Sequence, residues 1–529
     1  MTTPEQFILD HPLVRPRWPH QVEGFKFAAN HTACYLAAEQ RTGKTQIVMD
    51  WACYLHEQDK IGAMVVASMP SAAPRNWEEE LGSNYPGQPP SVLRWEATKF
   101  KNVSFQNNLE TTLNPSRNPD RLKVLLINGE GTATDNFLDF IGTWLRSFKR
   151  KVLIVYDEGT LLIKTPGNVR TKIAYKLRNL CSYATVLDGT PSGEGPLDLF
   201  SQYKFLNPGI IGISSFTAFK ARYAVLEDGF NHKTKTSYKA VKRDEDGDPI
   251  YQHLDELSAR TDPYTFRVRF RDVFKDVPEP VYSKRFVELT PKQRETYDRL
   301  ETEYEAELQN LGTVTVANVL TRYLRLQQVT SGFWPSDKAA MLCGKCEGEG
   351  CGACDELGVV ERDVPLQRLV SFDDNPRLNA LRDELTYYRG APAVIWCRFN
   401  QDIDDVMTLC RDLGCVAVQY DGRVEEKQKA LNKASFQEGY ANIFVAKTRS
   451  AGRAVSLSRA ERMIYYSSEF GLNQRLQSEV RAETGLRTIA TQIVDLVANN
   501  TKDELILSSH RARRKLSDII LKEKSGKWL

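Results

Sequence analysis

Gly43-Lys44-Thr45 follows the apolar run CYLAA and precedes a helix-like segment, QIVMDWACYL. Counted from Ala38, the residues Arg41, Thr42, Gly43, Lys44 and Thr45 complete an A-x4-G-K-T pattern. Such a loop suits phosphate: consecutive backbone N–H groups and a helix N-terminus cradle the oxygens. Lys44 then reaches the outer phosphates, and the Thr45 hydroxyl ligates Mg2+. Arg41 stands where many phosphate loops carry their first glycine. A second group answers the first. KVLIVYDEGT sets Asp157 and Glu158 at the end of an apolar run. Asp157 can hold Mg2+ through water, and Glu158 can orient or deprotonate an attacking water. Each motif alone has a plainer reading, an exposed Gly-Lys-Thr loop or an acidic pair capping a strand. Together, in one α/β unit, they point to nucleotide hydrolysis.

A different chemistry is written at 343–354. CGKCEGEGCGAC spaces Cys343, Cys346, Cys351 and Cys354 as two Cys-x-x-Cys knuckles. Four thiolates suit a structural, tetrahedral Zn2+, and the interleaved glycines permit the tight turns. An iron–sulfur cluster and a site shared with another segment stay open. The text also resembles the zinc-binding repeats of J-domain chaperones. Whether such an insertion guides DNA or binds a protein partner is not written in it. The other six cysteines, Cys34, Cys53, Cys181, Cys397, Cys410 and Cys415, lie mostly in apolar contexts and read as packing residues. The seven histidines show no paired metal spacing. His20 reads as a packing residue, beside a nucleotide pocket or on its own helix. Trp51 and Trp77 read as core.

The elements that must position these groups follow from apolar periodicity. Runs at 63–68, 123–128, 151–158 and 184–190 predict buried parallel strands. A second series lies at 391–397, 415–422, 441–448, 462–468 and 491–497. Ligands of such sheets sit at the strands' carboxyl ends. The expected fold class is α/β: two tandem parallel-sheet lobes, with the four-cysteine zinc insertion in the second. With 529 residues, 41% hydrophobic and 26% charged, the chain can build such cores. Its net charge of +3 excludes a histone-like polycation. No apolar run is long enough to span a bilayer. The N-terminus lacks the basic-then-apolar pattern of a secretory signal. A cytoplasmic protein with no membrane partner is expected.

The order of motifs resembles the superfamily 2 helicase-like ATPases and, within them, the Swi/Snf-like branch, including versions seen in bacteriophages. RPRWPHQVEGFKFA (15–28) resembles that family's opening element, in which Gln21 reads adenine. VVASMPSAAPRNWEEE (65–80) and VLDGTPSGEGPLDLFSQYKFLNP (186–208) resemble the next motifs. The second of these carries the coupling residues Gly189, Thr190 and Pro191. FRVRFRDVFKDVPEPV (266–281) resembles the exit from the first lobe, and YSKRFVELTPKQRETYDRL (282–300) the beginning of the second. IWCRFNQDIDDV (395–406), YDGRVEEKQKALNKASF (420–436), VAKTRSAGRAVSL (445–457) and RLQSEVRAETGLR (475–487) continue the series.

The resemblance implies RecA-like lobes over 1–275 and 285–529; the two prolines of KDVPEPV predict a linker at 276–284, the charged, turn-rich stretch a loop or hairpin insertion at about 226–262, and the cysteine knuckles a zinc-binding insertion at 335–365. The resemblance implies ATP as the nucleotide, with Mg2+. Gly452 belongs to its nucleotide-facing set, and Gln477 and Arg481 reach the γ-phosphate, Arg481 as an arginine finger. The family's second arginine is Thr484 here, which makes Arg487 a candidate displaced finger. Ala454 and Ser456 stand where Gly and Asn are usual. Ser68, Thr448 and Arg449 lie in motifs that touch nucleic acid in the family. The implied function is an ATP-driven helicase or translocase on duplex or branched DNA, without sequence specificity. A nucleotide-regulated DNA-binding scaffold and an RNA helicase are the alternatives.

Overall fold

The computed structural model describes residues 2–69, 73–129, 134–189, 191, 195–231, 236–244, 249–310, 316–333, 339–342, 359–362, 375–448, 455–469, 472–485 and 487–510. The expected zinc ligands Cys343, Cys346, Cys351 and Cys354, and also Thr190, Arg449 and Gly452, lie outside them. The chain forms two compact units. Among the described residues, one comprises those up to Glu227 and from Lys239 to Val277; the other comprises those in Asp228–Tyr238 and Pro278–His510.

The first unit is built on seven parallel strands: β1 (Ala33–Ala38), β2 (Ala63–Ser68), β3 (Ser91–Arg94), β4 (Lys123–Asn128), β5 (Val152–Asp157), β6 (Tyr183–Leu187) and β7 (Thr265–Val268). They lie in the order β3-β4-β2-β5-β6-β1-β7. Every residue of β1 and β2 is buried. Period-two alternation divides them between two cores. Ala33, Tyr35 and Ala37 join the cluster on one face, which also holds Trp144, Phe200 and Tyr203. Cys34, Leu36 and Ala38 join the other, with Phe25, Ile47 and Trp51. That two-sided burial explains why these strands read as unbroken apolar runs.

The second unit repeats the plan with six parallel strands: β8 (Val281–Val287), β9 (Ala393–Cys397), β10 (Ala417–Tyr420), β11 (Ile443–Lys447), β12 (Arg462–Tyr465) and β13 (Gln492–Ala498). Their order is β8-β13-β12-β9-β11-β10. Ala393, Ile395 and Cys397 face one core, and Val394 and Trp396 face the other. The first six residues of the edge strand β8 are exposed. The two-lobed α/β expectation therefore holds. In sequence between β6 and β7, Leu226–Asn231 and Thr236–Val241 pair with one another, and a helix follows at Leu254–Thr261. Among the described residues no helix is long and apolar enough to cross a membrane.

Candidate functional site

In the first sheet, parallel register brings three strand ends to one edge. Leu36 of β1 pairs with Leu187 of β6, and Leu187 pairs with Asp157, the last residue of β5. The loop 39–43 leaves β1 at that edge, Glu158 leaves β5, and Asp188-Gly189 leaves β6. A Cβ at Gly189 would come within 3.4 Å of the Gln40 nitrogen, so the loops after β1 and β6 touch.

The loop after β1 is tightly pinned. Thr42 Oγ1 donates to Glu39 O at 2.7 Å, and His20 Nε2 donates to Thr42 O at 2.6 Å. His20 stacks on Trp18, and burial lowers its pKa, which favours the neutral ring. Gly43, at φ 78°, is left-handed and starts the helix Lys44–Glu57. Only glycine fits there. Besides the backbone cost, an added Cβ would lie 2.1 Å from Gln21 Nε2. Gln21 ties its own helix, Pro19–Ala29, to the loop: Trp18 N donates to its Oε1 at 2.8 Å, and its Nε2 donates to Gly43 O at 3.3 Å. Lys44 Nζ donates to Ala38 O at 2.7 Å. Arg41 has φ 66°. The position that glycine holds in many such loops is left-handed here too, and a long cationic side chain fills it at a backbone cost.

Asp157 accepts a hydrogen bond from Trp77 Nε1 at 2.9 Å. Burial raises its pKa; Trp77 and Lys44 oppose that shift, and Asp188 adds to it. Glu158 is left-handed, at φ 60° and ψ 55°. The next residue must be glycine, because a Cβ at 159 would lie 2.2 Å from Val186 Cγ1. Thr160 then locks the turn. Its backbone N and its Oγ1 both donate to Asp188 Oδ2, at 2.9 and 2.6 Å. Pro191 O accepts from Gln202 Nε2 at 3.2 Å, and Gln202 also accepts from Tyr35 OH at 2.6 Å. Glu39, half-buried, with its pKa raised chiefly by loss of solvent, accepts from Phe270 N at 2.8 Å. It joins the phosphate-type loop to the segment leaving β7.

In the second unit the helix Leu472–Glu479 carries Gln477. Arg475 anchors that helix. Its guanidinium donates to both carboxylate oxygens of Asp495 on β13 and to Glu479, and it stacks 3.4 Å over the Tyr465 ring. Burial opposes this charge, but Asp495, Tyr465 and Glu479 outweigh it and hold the arginine well above its ordinary pKa. Ser478 Oγ adds a 2.6 Å contact to Tyr465 OH. Arg481 follows, half-buried, its Nε donating to Gln477 O at 3.2 Å and its own carbonyl accepting from Leu457 N at 2.9 Å. Arg487 is occupied otherwise. It donates to four main-chain carbonyls, those of Ser458, Ala460, Ala482 and Ile489. That is the bonding of a loop anchor.

The sequence-expected residues therefore fall into sets. Gln21, Arg41, Thr42, Gly43, Lys44, Thr45, Asp157, Glu158, Gly189 and Pro191 are in the first unit. Gln477, Arg481 and Arg487 are in the second. Ser68 closes β2, and Thr448 follows β11 with its Oγ1 donating to Glu469 at 3.0 Å. Both are buried, at 1% and 5% exposure, so neither offers a surface hydroxyl in this structure. Sequence reasoning missed Thr160, Asp188 and Glu39. It weighed Trp77 as a core residue against a base-stacking one and placed it in the motif at 65–80, ahead of three glutamates, without foreseeing its hydrogen bond to Asp157.

Known proteins share this pattern. Residues 20–332 match the SNF2-related domain, and 376–483 match the helicase conserved C-terminal domain. One relative, the chromodomain-helicase-DNA-binding protein 1-like of Danio rerio, is 22% identical over 96% of this chain and 44% of its own length. The DNA repair and recombination protein RAD54-like of Danio rerio is 22% identical over 98% of this chain and 69% of itself. An uncharacterized ATP-dependent helicase of Mycoplasma pneumoniae is 22% identical over 96% and 42%. The chain thus spans less than half the length of two of these three relatives. Among solved structures, the Sulfolobus solfataricus SWI2/SNF2 ATPase core in complex with dsDNA is 19% identical, with a TM-score of 0.39, covering 97% of this chain and 94% of that one.

Proposed function

The chain belongs to the SNF2-related family of helicase-like ATPases, and from that premise we propose that it is a DNA-stimulated ATP hydrolase that tracks along duplex or branched DNA. The observation that carries this reading is the single sheet edge at which the loop to Lys44 leaves β1 and Asp157-Glu158 end β5, with β6 between the two strands.

The residues present fit ATP with Mg2+. Gly43 opens a helix N-terminus whose first amides lack intrahelical partners. Those amides and Lys44 bind the β- and γ-phosphates. Thr45 and Asp157 are the residues that would hold Mg2+, which supplies neutralising charge on the phosphate oxygens. Glu158 accepts the proton of the attacking water as its oxygen bonds to the γ-phosphorus and the β–γ bridge breaks. The family motif gives Arg481 the positive charge, and Gln477 a neutral hydrogen-bonding amide, for the γ-phosphate. Because Ser68 and Thr448 are buried, we assign DNA-phosphate contact to the loops they anchor rather than to their hydroxyls. Contacts of that kind carry no base code. The spacing of Cys343, Cys346, Cys351 and Cys354 assigns them a structural zinc.

The test is steady-state ATP turnover with no nucleic acid, single-stranded, duplex and forked DNA, and RNA, all at one salt concentration, since salt alone changes affinity. Duplex or forked DNA raises turnover several-fold, and Lys44→Ala abolishes it. If wild type and Glu158→Gln hydrolyse ATP equally slowly on every substrate, the nucleotide-regulated scaffold replaces the motor. Stimulation by RNA and not by duplex DNA makes it an RNA helicase.

A further inference from the structure

On the far end of the helix Lys44–Glu57 from the phosphate loop, three ligating side chains converge. His11, Cys53 and Glu57 present ligand atoms that all lie within 4.8 Å of one another. His11 Nε2 is 2.8 Å from Glu57 Oε1, and Cys53 Sγ is 3.8 Å from the same oxygen. The spacing is chemically apt. Metal–ligand bonds of about 2.0–2.3 Å in a tetrahedron put ligand atoms roughly 3.3–3.6 Å apart. Shifts of about an ångström reach that geometry from here.

The imidazole supplies a second, independent observation. His11 Nδ1 lies 3.0 Å from Phe7 O, and Nε2 faces the Glu57 carboxylate. Both ring nitrogens meet acceptors, whereas a neutral imidazole has one N–H. With Nδ1 fixed on the carbonyl, Nε2 is the ring nitrogen turned toward Glu57 and the Cys53 sulfur. An imidazole whose other nitrogen is fixed by a backbone carbonyl is also the common arrangement of metal-bound histidine. The surroundings hold the other two ligands. Cys53 and Glu57 are four residues apart and so share one helix face. Gly87 makes room for the sulfur: a Cβ there would lie 2.5 Å from Cys53 Sγ. His11 is itself held by stacking on Phe7 at 4.3 Å and by Arg17, whose Nη1 donates to His11 O at 2.7 Å.

We propose that His11, Cys53 and Glu57 form a binding site for a thiophilic divalent cation of the Zn2+ class, distinct from the cysteine cluster at 343–354. One imidazole, one thiolate and one carboxylate are a borderline-soft set that selects Zn2+ over Mg2+ or Ca2+. Burial and the Glu57 charge push the Cys53 thiol pKa up, so binding must displace the thiol proton, which leaves to solvent. Solvent completes the fourth position. Ion binding ties the segment before Gln21 to the helix that begins at Lys44, so the metal acts as a clip on the nucleotide loop's own helix.

The test uses the full chain, stripped with a chelator and titrated with Zn2+ against a competing indicator. Wild type is compared with His11→Ala, Glu57→Gln and the double variant. Glu57 is exposed and His11 half-buried, at 43% and 19% side-chain exposure, and the unfolding temperature of each stripped variant, matched to that of stripped wild type, separates loss of metal from loss of fold. The cysteine cluster contributes equally to every protein and cancels. The expected result is one Zn2+ fewer per chain in the double variant and an affinity at least tenfold weaker at this site in each single variant. Co2+ substitution gives thiolate-to-metal absorbance that Cys53→Ser reduces. Equal Zn2+ stoichiometry in wild type and the double variant overturns the proposal and leaves His11–Glu57 as an ion pair. ATP turnover is a separate readout, so this outcome does not bear on the hydrolase reading.

Discussion

Thr160→Val isolates the contact that holds the Glu158 turn. The substitution preserves shape and removes one donor. In the native chain Asp188 Oδ2 accepts both the Thr160 amide, at 2.9 Å, and its hydroxyl, at 2.6 Å. Asp188 is 1% exposed and Thr160 8%, so water does not replace the lost bond. Hydrogen bonds to a charged group contribute about 1.5–3 kcal/mol, which puts the loss near ~2 kcal/mol. At about 2–4 °C per kcal/mol for a unit of this size, the first unit unfolds about 4–8 °C lower. The catalytic consequence runs through the backbone. Glu158 sits at φ 60°, a conformation that persists only where its surroundings enforce it. If half the lost energy appears as misplacement of the Glu158 carboxylate, turnover falls about fivefold, since about 1.4 kcal/mol is a factor of ten. The assay is DNA-stimulated ATP turnover in a double-mutant cycle with Glu158→Gln. With the carboxylate already removed, Thr160→Val has nothing left to misplace, and the double variant equals Glu158→Gln alone. Wild-type turnover in Thr160→Val, or a full independent loss in the Glu158→Gln background, refutes the positioning argument.

Two further predictions rest on the same geometry. Burial raises the Asp157 pKa, so between its ordinary and its raised value the native state binds more protons than the unfolded state. A carboxyl raised in this way favours folding less as pH climbs from its ordinary value, near ~4, through its raised folded value. Asp157→Asn retains an oxygen for Trp77 Nε1, so the nucleotide-free protein unfolds at a higher temperature at about pH 7 while turnover is lost; a lower unfolding temperature contradicts this reading. In the second unit, Arg487→Ala strands four carbonyls and costs about 2–4 kcal/mol, seen as a lower denaturant midpoint. Arg481→Ala leaves that midpoint nearly unchanged and lowers turnover about a thousandfold. Matched turnover loss in both variants without loss of stability restores Arg487 as a finger.

Much of the fold was legible because parallel strands buried on both faces leave unbroken apolar runs. The runs at 63–68 and 123–128 coincide with β2 and β4 residue for residue, while the reading at 415–422 shrinks to Ala417–Tyr420. Exposed pairing left no such trace. β8 carries Lys284 and Arg285 on an edge whose first six residues are exposed, and its place beside β13 is set by backbone hydrogen bonds that apolar patterning does not encode. The nucleotide loop was legible for another reason. Lys44, Asp157 and Glu158 are local patterns tied to strand ends. Thr160 with Asp188, and Glu39 with Phe270, are long-range pairs, and nothing in spacing joins residues so distant in sequence.

The departures from the expected motifs are where local preference and structure conflict, and each conflict has a visible compensation. Arg41 occupies a left-handed position that glycine would fill at no cost. The neighbouring residues hold it there: Thr42 is fixed through its hydroxyl to Glu39 O and through its carbonyl to His20. Glu158 is left-handed as well, and Thr160, two residues on, is the clamp. Arg487 stands near the missing second arginine, yet its guanidinium is committed to four carbonyls. Freeing it to reach a phosphate would break all four contacts, one of them to the exposed Ile489 and three of them part-buried. A displaced arginine finger at 487 would therefore have to give up these loop contacts first. On that ground we propose Arg481 as the residue that supplies this motif's charge.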